Sequence, residues 1–75
     1  MEAWRTYTPD GRMLDVEYAD GEWVARCAGV HGTGPSALEA IATAVRGGPE
    51  SIVRNDSSLD SWVVEHARRL ESEAG

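Results

Sequence analysis

The pair Asp20-Gly21 constrains this chain more than any other feature. A two-residue hairpin loop of type I′ needs positive φ at both central positions, and Asp-Gly supplies it at low cost. Placing the pair at the tip of "RMLDVEYADGEWVARC" (12–27) sets a register. Ala19 then faces Glu22, Tyr18 faces Trp23, Glu17 faces Val24, Val16 faces Ala25, Asp15 faces Arg26 and Leu14 faces Cys27. Side chains alternate across a strand. One face therefore carries Leu14, Val16, Tyr18, Trp23, Ala25 and Cys27. The other carries Asp15, Glu17, Val24 and Arg26, with Asp15 and Arg26 directly opposed as a cross-strand charge pair. A slip of one residue would mix the two sets, so the register is strongly specified.

The flanks extend this unit. "AWRTYT" (3–8) is rich in aromatic and β-branched residues and reads as a strand. "TPDG" (8–11) has Pro at its second position and Gly at its fourth, which suits a type I turn. "AGVHGTG" (28–34) either adds a short edge strand or only leads away from the sheet. Ser36 and Glu39 form a capping-box pair. Leu38, Ile41, Ala42 and Val45 follow at helical spacing as one apolar stripe. "GGP" at 47–49 ends that helix. "SIVR" (51–54) is another short apolar run that could pair as a strand. A second helix is predicted to start near Ser57, with Asp60 as a further box residue. Leu59, Trp62, Val63, His66 or Ala67, and Leu70 share its inner face. Its tail, "ESEAG", is expected to fray. The predicted class is α+β, one domain over 1–75. It is a small antiparallel meander of three strands, or four, with one helix packed on one face and a second, C-terminal helix.

A core this small leaves a domain marginally stable, and such domains lean on disulfides, metals or oligomerisation. Cys27 is the one cysteine, so no internal disulfide can form. Self-association is the cheapest remaining support, and a homodimer is expected. A lone thiol suits a reducing compartment, and the opening "MEAWRTYTPD" has no apolar core of a signal peptide, so the expected location is cytoplasmic. No stretch approaches the roughly 20 apolar residues of a membrane span. Thirteen acids stand against seven arginines, with no lysine, for a net charge of −6. Binding phosphates needs the opposite sign, so nucleic acid is disfavoured as a partner. The same field steers basic proteins toward the surface.

The residues that could carry chemistry read more simply as structure. Gly29, Gly32 and Gly34 fit neither the dinucleotide nor the Walker spacing, and no lysine is present to reach a phosphate. Cys27 and His31 are too few for a zinc site, which takes four ligands or three plus water. Asp10 and Asp20 sit where turns favour Asp. No catalytic residue, metal site or cofactor is therefore predicted, and the chain reads as non-enzymatic. The candidate partner-binding residues are the acids Asp15, Glu17, Asp20 and Glu22, together with Trp62. Tryptophan is enriched at binding hot spots as well as in cores.

Residues 12–46 resemble the HicB antitoxin family. The resemblance lies in an acidic-glycine turn (Asp20, Gly21), an aromatic-valine strand (Trp23, Val24), and a loop punctuated by Gly29, Gly32 and Gly34. A helix capped by Ser36 and containing Glu39-Ala40 follows. The resemblance implies a β-β-β-α-β core like a truncated ribonuclease H fold. It also implies a non-enzymatic role in a toxin–antitoxin system, binding and restraining a small basic RNA-cleaving toxin. The alternative is a small transcriptional regulator, in which residues 50–75 of two chains form a DNA-contacting element with Arg46, Arg54, Arg68 and Arg69.

Overall fold

The computed structural model describes residues 2–46 and 57–74. The chain builds β1 (Glu2–Tyr7), β2 (Met13–Ala19), β3 (Glu22–Cys27) and β4 (Val30–Gly34). Two helices follow, α1 (Ala37–Arg46) and α2 (Ser57–Ala74). The strands form one antiparallel sheet in the order β1-β2-β3-β4. This is the α+β meander expected from the sequence, with its fourth strand supplied by residues 30–34. The apolar run at 51–54 lies outside the described residues.

The β2–β3 register is the one Asp20-Gly21 dictates, from Ala19 opposite Glu22 to Leu14 opposite Cys27. Asp20 has φ 54° and Gly21 φ 78°, both in the left-handed region that a type I′ turn requires. The β1–β2 turn closes with the Gly11 N–H on the Thr8 carbonyl (2.9 Å) and the Thr8 N–H on the Arg12 carbonyl (2.8 Å). The Thr8 side chain is buried, yet its hydroxyl is satisfied. It donates to Asp10 and accepts the Arg12 N–H at 3.0 Å. Arg12 then bridges Asp10 and the Val45 carbonyl at the end of α1 (2.9 Å), tying the turn to the helix.

The β3–β4 connection is a second two-residue turn, with Ala28 at φ 51° and Gly29 at φ 85°. Nothing in the residue types announces it, because alanine is a poor choice for that conformation. Ala28→Asn keeps the turn and relieves part of the strain, since Asn tolerates left-handed φ. The variant is expected to gain about 0.5–1 kcal/mol, read as a higher urea midpoint at unchanged slope.

On the inner face, Leu14, Val16, Trp23, Ala25 and Cys27 are buried against α1 and α2 residues. Alanines 37, 40 and 44, with Ile41 and Val45, form the buried side of α1. This corrects the stripe read from spacing: Leu38 lies 42% exposed. The reason is Gly32. A Cβ there would stand 2.1 Å from the Ala40 carbonyl oxygen and 2.8 Å from the Ala44 nitrogen. Backbone meets backbone at that point. Only small residues on α1 permit the approach, so the helix turns its alanines to the sheet and Leu38 outward.

The two helices run antiparallel. Arg46 near the end of α1 meets Asp60 near the start of α2 at 2.6 Å. At the other end the Ala37 N–H donates to Glu71 at 3.0 Å. That carboxylate joins Ser36, whose hydroxyl accepts the Glu39 N–H (3.2 Å), at the positive end of α1. Val63, Ala67 and Leu70 are the buried residues of α2. The helix continues to Ala74 rather than fraying. Its last turns are tied down, since the Trp4 indole N–H donates to Glu73 at 3.2 Å. Trp4 in turn stacks on Trp23 (5.7 Å between centroids), and Trp23 packs on Tyr18 (4.5 Å).

Candidate functional site: the open face of the sheet

Both helices pack on one side of the sheet, through α1 on β3 and β4 and α2 on α1. Among the described residues, nothing covers the opposite side. The strand registers arrange its residues in rows. Arg5, Asp15, Arg26 and His31 make one row; Ala3, Glu17, Val24 and Thr33 make the next. Ala19 and Glu22 lie beyond, toward the Asp20-Gly21 tip. Tyr7 and Met13 pair at the far end, 61% and 43% exposed.

Two shallow depressions mark this face. One of about 430 Å³ is lined by Ala3, Arg5, Asp15, Glu17, Val24 and Arg26, together with Trp4 and Val16. The other, about 370 Å³, is lined by Glu17, Ala19, Asp20, Glu22 and Val24. Small side chains at Ala3 and Ala19 leave the hollows, and charged side chains rim them.

The electrostatics differ from the simple acidic surface expected. Asp15 does not bond Arg26. Its carboxylate accepts from the Arg5 Nε at 2.7 Å. The hairpin alone offers Asp15 only Arg26, whereas β1 adds Arg5 on the other flank. The bond to Asp15, followed by its charge, raises the Arg5 pKa above the ordinary value. The pair is solvent-exposed and adds little stability, but it offsets the negative charge of Asp15. On this face the acids without an ion-pair partner among the described residues are Glu17, Asp20 and Glu22. All three line the smaller hollow. The face is therefore negative at its tip. The row behind Glu17 and Val24 holds Arg26, also unpaired among the described residues.

Four of the five expected binding residues, Asp15, Glu17, Asp20 and Glu22, thus share one surface. The fifth does not. Trp62 lies on α2, half-buried against the core and stacked on His66 (4.9 Å between centroids, 12° between planes). Arg5 is the residue that sequence reasoning missed. Its signal lay in Gly11: at φ 92° it is the bulge residue of a three-residue loop, which sets Thr8 opposite Arg12 and hence Arg5 opposite Asp15.

The other candidate groups separate. Cys27 is fully buried on the inner face, and burial pushes its thiol pKa up. His31 pairs with Arg26 on the open face, so the sheet stands between it and Cys27. Asp10 is held below the usual carboxylate range, first by the Thr8 hydroxyl and then by Arg12. Among the described residues no group of three or more His, Cys, Asp or Glu could hold a metal ion. None of their helices is long and apolar enough to cross a membrane. Arg46 is engaged by Asp60, and Arg54 lies outside the described residues. Arg68 and Arg69 on α2 are exposed but stand among Glu65, Glu71 and Glu73.

The fold and this face define a class: a small α+β domain with helices on one side of its sheet and an open, charged, hollowed face on the other. No protein-family model, curated protein or solved structure matches the chain.

Proposed function

We propose that this chain is a HicB-like, non-enzymatic binding module whose open sheet face holds a basic protein of the RNA-cleaving-toxin kind. The observation that carries the reading is the trio Glu17, Asp20 and Glu22 around one hollow, unpaired and facing solvent. Acids so placed attract a basic surface at a distance and fix its orientation on contact. Val24, Ala3 and Ala19 give the partner apolar ground between the charges. Arg26 requires an acid or polar group opposite, so the partner carries a mixed patch rather than a uniformly basic one. The resemblance over residues 12–46 points to the same kind of partner.

DNA binding through α2 draws less support, because the arginines there are outnumbered locally by acids. Self-association belongs to the reading as a homodimer that leaves the open face free for the toxin-like partner. Sedimentation of the purified protein measures it.

The direct test is a paired capture from the native host. Wild-type protein and the E17K/D20N/E22K variant serve as baits, and retained proteins are identified by mass. The reading expects a basic protein, held by the wild type and lost by the variant. Equal retention by both baits, or retention of acidic proteins alone, contradicts it.

A further inference from the structure

His66 is the residue in the described structure whose environment fits it worst. Its Nε2 is closed off from solvent and has no hydrogen-bond partner among the described residues. Its ring lies flat on the Trp62 indole one turn earlier on α2. A neutral imidazole can keep its proton on Nδ1 and leave Nε2 as a bare acceptor. Protonation instead places an N–H donor and a charge at the closed-off position, where no acceptor waits. The indole face offsets part of that cost.

Among the described residues, the charged groups that act on the ring are Arg69 and Glu73, both on α2. Arg69 opposes a second positive charge, while Glu73 favours one but also accepts the Trp4 indole N–H. Charged groups on the neighbouring elements are committed elsewhere. Arg46 and Asp60 hold each other, Glu71 faces the Ala37 amide, and Arg12 spans Asp10 and the Val45 carbonyl. Glu2, on the inner face of β1, is exposed.

We propose that His66 is an acid-sensitive latch: protonating its imidazole frees α2 from α1 and the sheet while the four strands stay paired. Burial, then Arg69, hold the imidazole below its ordinary value of 6.5. The packed helix holds the neutral ring, so docking is strongest above about pH 6.5, weakens as pH falls from there to the lowered native value, and levels off below it. An imidazole is the side chain whose ordinary pKa falls in this window, whereas carboxylates ordinarily titrate near about 4.

The experiment follows the imidazole by NMR and the backbone amides by hydrogen exchange between pH 7.5 and 5. The native imidazole is expected to titrate below 6.5. Below about 6.5, and until the native imidazole itself titrates, protection of α2 amides, corrected for intrinsic exchange, falls by about tenfold per pH unit relative to β2 and β3, and it levels off at lower pH. His66→Phe keeps the ring on Trp62 without the proton and should hold α2 protected down to pH 5. An imidazole titrating at or above 6.5 overturns the proposal. So does simultaneous loss of β2–β3 and α2 protection, or the same pH response in H66F. If H66F does not fold, the wild-type titration and exchange still decide.

Discussion

Gly32→Ala should destabilise the protein more than any other single-methyl change, by about 2–4 kcal/mol. The added carbon meets the Ala40 carbonyl oxygen at 2.1 Å and the Ala44 nitrogen at 2.8 Å. Both are helix backbone, so no side-chain rotation relieves the clash. The only escape is to lift α1 from β4, which opens the layer that buries Ala25, Cys27 and Ile41. Small domains hold only about 5 kcal/mol or a little more, so G32A keeps only about 1–3 kcal/mol of stability at room temperature. Gly34→Ala should cost less, because the nearest atom is the Glu39 Cβ at 2.9 Å. Urea unfolding followed by circular dichroism gives the order. A G32A midpoint at or above that of G34A contradicts the close approach on which the position of α1 rests.

The second large effect concerns binding. E17K/D20N/E22K turns the tip of the open face from negative to positive while sparing the fold. Asn is used at Asp20 because that residue sits at φ 54°, which Asn accepts and Lys does not accept readily. Glu17 and Glu22 make no ion pair that their loss would break, so stability should stay within about 0.5 kcal/mol of wild type. Association with a basic partner should slow by about 10- to 100-fold, since long-range steering changes sign. The wild-type rate should also fall with added salt, as charges farther apart than about 10 Å are screened at 0.1 M. Wild-type and variant rates that agree at low salt remove the electrostatic basis of the proposed function.

The hairpin was the most legible part of the chain. Asp20-Gly21 fixes the turn, and alternation then assigns every side chain from Leu14 to Cys27 to its observed partner. The second turn was illegible because Ala28 occupies a conformation it does not favour. The roll of α1 was misread for a related reason. Spacing treats Leu38 as core because leucine is apolar, yet a glycine two strands away from the hairpin turn decides which helix side lies closest. The candidate face was half legible. Period-two alternation groups Asp15 and Glu17, but the fate of each charge depends on the neighbouring strand. Arg5 claims Asp15 and leaves Glu17, Asp20 and Glu22 free. The extent of α2 was underestimated because its last turn is held by tertiary bonds from Trp4 and Ala37, which local sequence does not display.

The most direct measurement is an NMR titration of the isotope-labelled protein with the basic protein it retains. Amide shifts should move at Glu17, Asp20, Glu22 and Val24, fade toward the row of Asp15 and Arg26, and leave Val64 and Arg68 on α2 unmoved. Shifts centred on α2, with the open sheet face silent, would contradict the account at its root.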